Sequence, residues 1–471
     1  TEFGKIAYRE AKEPQTNFAD PNMMEKVKTF SQMVDFINRA EIGIELLVPA
    51  ADSSSALEGV GSFLDAVSVG VRVRLIGDRE KIETVAHNKG LDDVLGDEKV
   101  EVIPCADTES ALYTTADLID RNRNQIVLKG NLTTDRLMKG LLRQKEKVIQ
   151  KGNIITHMRV FESPYGICQI CDGGINVISN IKDEEKREKI LGKIRKNGEE
   201  VMKFFGYPEP EVFDAGDAEG PDELMRVFRE LYIGENRFPE IMLFPWIGPA
   251  NIIYKAIAGT PWELDYRHEL LNSGEGMVAL FRCRGGDKSE EKDKTNEERP
   301  MLIAVPVKGE AVEGKKKLAA AAVEAARSAG IEKPKIALLD FTEQYAAFPD
   351  TPSIQESRIL VEAFAENDAC IVEGPMAFDI AASKDAAKTK KYESLVAGRP
   401  DVLFAPDYTA GAVLTEVYKN WNHLGMPWPG ADISIGGAVP ILIPSRSDSS
   451  KHKLRSVLAA AYISLVQGGS G

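Results

Sequence analysis

The sequence predicts an α/β protein built from more than one domain. Three observations carry that expectation. Over residues 1–150, short apolar runs rich in β-branched residues alternate with stretches of helical periodicity. A second stretch of the same character begins near residue 151. The chain has 471 residues, too many for one ordinary hydrophobic core.

In the first stretch the pattern predicts helices at 24–40, 54–68 and 79–88, and strands at 44–48, 71–76, 100–103 and 125–128. Strands separated by helices of this length imply βαβ units and a parallel sheet. Behind the strand ending at Leu128 come Lys129-Gly130, then two threonines and a helix expected over 135–148. The carboxyl end of a strand leading into a helix start is where open α/β sheets bind ligands, so Lys129 is a candidate phosphate contact. A solvated turn lysine gives the same local pattern. Gly59-Val-Gly61 opens like a dinucleotide fingerprint but lacks its third glycine.

Strands are expected next at 154–161, 165–170 and 172–178. His157 sits among alternating residues, where a single histidine is more often structural than catalytic. An internal repeat follows. Pro239-Glu-Ile-Met-Leu-Phe-Pro-Trp-Ile-Gly-Pro-Ala-Asn-Ile-Ile-Tyr-Lys255 returns as Pro400-Asp-Val-Leu-Phe-Ala-Pro-Asp-Tyr-Thr-Ala-Gly-Ala-Val-Leu-Thr-Glu-Val-Tyr418. A long charged helix with a Gly-x-x-x-Pro turn precedes each copy, at Gly206–Pro210 and Gly330–Pro334. The expected organisation is an N-terminal α/β domain over 1–150 and a degenerate first copy of a second domain over 151–285. A charged linker over 286–299 and a second copy over 300–471 follow.

Near the C-terminus, the apolar run Val439–Ile443 stops at Pro444 and gives way to Ser445-Arg-Ser-Asp-Ser-Ser450. Apolar positions then recur at helical spacing from Leu454 to Leu465. This reads as strand, turn and helix, with Ser445 and Arg446 at a helix N-terminus that favours an anion. Asp448 or Ser449 acting only as the helix cap is the competing reading.

Composition excludes some functions. With 43% hydrophobic and 28% charged residues and a net charge of −14, the chain does not suit nucleic acid or an anionic membrane as its main partner. No charged segment followed by an apolar one opens the sequence, and no uncharged apolar run spans a bilayer, so a cytoplasmic protein is expected. Five scattered cysteines, including the pair Cys168 and Cys171, read as buried thiols rather than disulfides or metal ligands.

Several of these stretches, in the same order, resemble the phosphate acetyl/butyryl transferase family, its butyryltransferase branch above all. They are Lys129-Gly130, Gly152–His157, Asp172–Ile178, Val372-Glu-Gly-Pro-Met-Ala-Phe-Asp379, Pro406-Asp-Tyr-Thr-Ala-Gly411 and the Ser445-Arg446 turn. The resemblance implies an isopropylmalate dehydrogenase-like pair of α/β domains around a cleft, with the second domain duplicated. It implies the reaction acyl-CoA + phosphate ⇌ acyl phosphate + CoA, with coenzyme A as a substrate, no separate cofactor and no metal. Ser445 and Arg446 are then catalytic, with Asp448 or His452 as proton acceptor. Lys129, Gly130, Gly374, Pro375, Asp379, Asp407 and Gly411 are then substrate-binding, and the second copy carries the site. The family's acetyltransferase branch has an aspartate where this chain has His452, and the family pattern has an asparagine where it has Ala412. Two other readings stay open: a non-catalytic acyl-CoA or acyl phosphate binder or scaffold in a larger assembly, and a nicotinamide-dependent hydroxyacid dehydrogenase. The implied oligomer is a homodimer.

Overall fold

Fully apolar strands alternating with amphipathic helices can bury both sheet faces only beneath helices, and the chain folds as that requires. The computed structural model describes residues 26–40, 43–66, 70–120, 123–130, 132–149, 152–172, 174–176, 181–216, 221–233, 237–244, 247–259, 263–284, 298–420 and 426–468. Nearly all of the linker expected at 286–299 lies outside them. In chain order the strands are β1 (Glu45–Pro49), β2 (Arg72–Gly77), β3 (Val100–Pro104), β4 (Gln125–Leu128), β5 (Thr156–Ser163), β6 (Gly166–Cys171), β7 (Val212–Asp214) and β8 (Ile241–Leu243). They continue with β9 (Glu263–Ser273), β10 (Gly276–Arg284), β11 (Arg299–Pro306), β12 (Lys335–Asp340), β13 (Ile371–Ala377), β14 (Val402–Phe404), β15 (Gly430–Ile435) and β16 (Ile441–Leu442).

Two compact units result. The first takes in residues 1–171, 190–211 and 429–471. Its parallel sheet runs β16-β4-β1-β2-β3. β1 and β4 are buried along their whole length, as central parallel strands are. β5 pairs antiparallel with both β15 and β6. The last helix, Ser450–Gly468, packs on β15 and on helices Phe30–Ala40 and Ser54–Ala66. Its buried Tyr462 stacks on Phe205 and donates its hydroxyl to the Phe204 carbonyl at 2.9 Å. The Ser445-Arg446 turn therefore belongs with the N-terminal sheet rather than with residues 300–428, because β16 joins that sheet beside β4.

The second unit takes in 172–189 and 212–428. Its mixed sheet runs β13-β12-β14-β11-β10-β9, with β9, β10 and β11 successively antiparallel and β11, β14, β12 and β13 parallel. β7 and β8 form a further parallel pair. Helices Val312–Ser328 and Pro352–Phe364 cover a core that includes Val278, Leu302, Leu318, Ile336, Leu360 and Phe404. Two expected elements differ. The helix expected over 135–148 is Thr134–Leu141, a 3₁₀ turn at Leu142–Gln144 and a last turn Lys145–Val148. The strand expected at 172–178 is a turn over its described part. Asp172 Oδ1 accepts from the N–H groups of Gly174 (2.9 Å) and Ile175 (3.0 Å), and this local bonding competes with a strand ladder.

Gly411 shows how tightly the second unit is packed. A Cβ there would lie 2.6 Å from Val305 Cγ1 and 2.9 Å from Ala405 Cβ, so helix Tyr408–Lys419 reaches β11 only without a side chain at this point. Gly411→Ala is expected to lower stability by about 1–3 kcal/mol, the usual range for overpacking a core. Denaturant unfolding of the variant against the parent protein measures it.

Candidate active site

The site follows from strand direction. β4 and β16 run parallel, so both leave the sheet at the same edge. Their continuations meet in a small pocket lined by Leu128, Lys129, Gly130, Pro444, Ser445, Arg446 and Lys453. β2 and β3 extend the sheet on one side of β1, and β4 on the other, so the strand order reverses between β1 and β4. The carboxyl ends of strands at such a reversal are where open α/β sheets hold ligands. Gly130 fits there because a Cβ would lie 2.4 Å from the Pro49 carbonyl oxygen at the end of β1.

The turn after β16 is held by its own polar groups. The Ser445 N–H donates to Asp448 Oδ2 at 2.6 Å, and the Asp448 N–H donates to the Ser445 carbonyl at 3.1 Å. The Ser445 and Ser447 hydroxyls lie 2.9 Å apart. The helix is capped by Ser449, whose Oγ accepts from the His452 N–H at 3.2 Å. Of the two caps expected from sequence, Ser449 does the capping, and Asp448 instead braces Ser445.

Charge is concentrated around this turn. Lys129 is buried, and its amine lies 3.4 Å from Thr134 Oγ1. Burial pushes Lys129 down to about 8, against the opposing pull of Asp448 and Asp432. Burial also lowers Lys453, with Asp448 and Glu58 opposing. Behind the turn, the fully buried Asp432 receives three basic side chains. His452 Nε2 is 2.8 Å from Asp432 Oδ2 and 3.7 Å from Asp448 Oδ2. His157 Nε2 is 3.1 Å from Asp432 Oδ1, and the Arg159 guanidinium contacts the same oxygen. Burial alone would raise Asp432, but Arg159 and His452 hold it well below the usual carboxylate range. Burial alone would lower His452, but Asp448 and Asp432 outweigh it and raise the imidazole.

Asp432 and Arg159 were not among the expected site residues. The available signal was a charge inside each of two apolar strands, Asp432 in Gly430–Ile435 and Arg159 in Thr156–Ser163, since a charge buried in a strand needs a partner. Among the described residues, Asp432, Asp448 and His452 bring one possible ligand atom each within 4.8 Å of one another. Arg159 and His157 already occupy Asp432 Oδ1 and His452 occupies Oδ2, so the donor set is that of an ion-pair cluster rather than of a cation site.

The other five expected residues lie in the second unit, each with a packing or bonding partner there. A Cβ on Gly374 would lie 2.6 Å from Leu338 Cβ. The Pro375 carbonyl accepts from the Tyr392 hydroxyl at 3.3 Å. Asp379 binds Lys255 at 2.8 Å and Lys390 at 2.7 Å, which outweigh burial and hold its carboxyl far below its ordinary range. Asp407 caps helix Tyr408–Lys419 by accepting from the Ala410 N–H at 2.9 Å, and Gly411 is the close contact described above.

Lys129 gives the pocket a pH signature. Below about 8 the amine is charged and attracts an anion; as pH rises through that value the charge, and the attraction, are lost. Inorganic phosphate affinity measured calorimetrically is therefore expected to fall as pH rises through about 8. In Lys129→Met it is expected to be at least about ten-fold weaker below that pH and to lack the step, as follows for a lost charged hydrogen bond.

Residues 310–461 match the family described as phosphate acetyl/butaryl transferase. A phosphate acetyltransferase of Thermotoga maritima is 34% identical over 167 residues, covering 35% of this chain and 55% of that protein. A phosphate butyryltransferase of Clostridium acetobutylicum is 32% identical over 143 residues, covering 30% and 46%. The chain thus spans about half the length of the curated relatives it matches. A solved branched-chain phosphotransacylase from Enterococcus faecalis aligns with 89% of this chain and 99% of its own at 17% identity and a TM-score of 0.36. Through residues 310–461, which include the Ser445-Arg446 turn, the chain is similar to the phosphate acetyl/butyryl transferase family.

Proposed function

We propose that this chain is a phosphate acyltransferase that moves a short acyl group reversibly between coenzyme A and phosphate. The observation that carries the reading is the convergence of Lys129, Ser445 and Arg446 on one pocket from strands far apart in sequence. Lys129 and Arg446 supply the positive charge that holds the phosphate, with the planar guanidinium suited to two phosphate oxygens at once. Ser445 supplies a hydroxyl to the developing oxyanion or the thiol. Asp448 is the proton acceptor rather than His452: its side chain keeps 20% of its exposure, whereas His452 is 9% exposed and its Nε2 is engaged by Asp432. The substrates are a coenzyme A thioester and phosphate, in a cytoplasmic protein.

The same reading places the acyl-transfer site with the first unit and makes residues 184–419, most of them in the second unit, the duplicated region of an isopropylmalate dehydrogenase-like architecture. The order helix, strand, helix, strand, helix occurs twice, which supports duplication. It runs Glu184–Phe204, β7, Pro221–Phe228, β8, Ile247–Gly259, and again Val312–Ser328, β12, Pro352–Phe364, β14, Tyr408–Lys419, the second time with β13 and two short helices added before β14. Helices Ile247–Gly259 and Tyr408–Lys419, which hold the two repeat motifs, pack on one another within the second unit. Gly374, Pro375, Asp379, Asp407 and Gly411 are then residues of the family pattern retained for packing and bonding in the second copy.

The test is thioester formation from acetyl, propionyl or butyryl phosphate and coenzyme A. Turnover is expected, with kcat reduced about 10²–10³-fold in Arg446→Ala and similarly in Ser445→Ala, the range for loss of one group stabilising an oxyanion. Coenzyme A binding without turnover for any acyl group contradicts the proposal and favours a binding protein.

A further inference from the structure

We infer that Asp432 is a positioning residue of this site, holding His452 so that His452 in turn keeps the Asp448 carboxylate at the Ser445-Arg446 turn, where it takes the proton of the attacking thiol. The inference rests on the acyl-transfer reading above and adds a residue to it.

His452 stands between two carboxylates. Its Nε2 is 2.8 Å from Asp432 Oδ2 and 3.7 Å from Asp448 Oδ2. A cation between two carboxylates attracts both and offsets their mutual repulsion. Asp432 cannot turn away, because Arg159 and His157 hold its other oxygen. Ser456 fixes the remaining freedom: its Oγ accepts from the Asp432 N–H at 2.8 Å and donates to the His452 carbonyl at 3.0 Å, tying β15 to the last helix. Of the two carboxylates, Asp432 is closed to solvent and Asp448 is not, so only Asp448 is placed to meet a thiol.

In the acyl-phosphate direction, the thiol proton passes to Asp448 as the sulfur bonds to the acyl carbon. The bond from that carbon to the phosphate oxygen breaks, and the proton returns from Asp448 to the departing phosphate. Atoms and charge balance without a further reactant, and the reverse reaction retraces the path. The imidazolium of His452 attracts the Asp448 carboxylate and holds it at the turn. When high pH removes its proton that attraction is lost and Asp448 is no longer held in place, so kcat falls on the alkaline side. The other charged groups around His452 are Arg159 and His157 from β5, Lys129 at the end of β4, Arg446 on the turn, and Lys453, which is opposed by Glu58. All of them remain in Asp432→Asn. In that variant burial acts on the imidazole with one carboxylate fewer, and its titration moves to lower pH.

The experiment pairs the pH profiles of kcat and KM with ¹⁵N-histidine NMR, for the parent protein and Asp432→Asn. In the parent, the His452 titration and the alkaline limb of kcat are expected to coincide. In Asp432→Asn both are expected to move together to lower pH by about one unit or more. KM for acyl phosphate should change less than about two-fold, because Lys129 and Arg446 still hold the phosphate. Ser456→Ala, which leaves every charge in place, is expected to move them the same way by less. A folded Asp432→Asn whose alkaline limb stays in place overturns the inference. If Asp432→Asn does not fold, the parent protein decides: His452 titrating away from the kcat limb overturns the inference. A parent without turnover at any pH overturns the acyl-transfer reading itself, a result separate from an unmoved limb.

Discussion

Everything at the candidate site depends on one short pairing, that of β16 with β4. The Val127 N–H donates to the Pro440 carbonyl at 3.0 Å and the Lys129 N–H to the Leu442 carbonyl at 2.9 Å. This ladder places the turn from the C-terminal end of the chain beside the Lys129-Gly130 corner. Because the pairing is parallel, both strands release their next residues at the same sheet edge. An antiparallel pairing of the same segments would have sent Lys129 and Ser445 to opposite edges. The strand is short, but its two residues are buried and its helix is anchored by Tyr462, so the register is held from both sides.

Behind that turn lies a buried ionic cluster whose arrangement suits specificity of geometry more than stability. Gathering Asp432, Arg159, His157 and His452 away from water carries a desolvation cost that their mutual attraction offsets only when the geometry is good. Apolar residues of similar volume would fill β5 and β15 at lower cost. What the ions supply is a fixed chain of contacts from the sheet interior to the Ser445-Arg446 turn. The burial that makes the cluster costly also makes each partner's protonation depend on the others, so the proton chemistry of the turn is set by residues on three separate elements.

Much of this was legible in the sequence. β4 matches the expected bounds 125–128, and most other elements of the N-terminal region end within about two residues of the expected ones, because strongly periodic apolar patterns decide them. Lys129, Gly130, Ser445, Arg446 and Lys453 meet in one pocket; the first four were singled out by their positions after strands. Tertiary placement was harder to read. That residues 429–468 fold with the first unit rests on pairings between segments far apart in the chain, β15 with β5 and the two-residue β16 with β4, which no periodicity announces. Gly374 and Gly411 carry ligand-loop patterns, yet close backbone and side-chain contacts account for both. Asp432 was passed over because a single aspartate in an apolar strand signals a buried partner without saying which one.

The central claim is that Lys129 and Arg446, brought together by β4 and β16, act on the same anion. A double-mutant cycle on inorganic phosphate affinity, with Lys129→Met, Arg446→Ala and the pair, tests it most directly. If both contact one phosphate, the effects are non-additive, with a coupling of about 0.5–3 kcal/mol, as for residues that share a partner. Effects that add within about 0.5 kcal/mol, the behaviour of independent sites, contradict it.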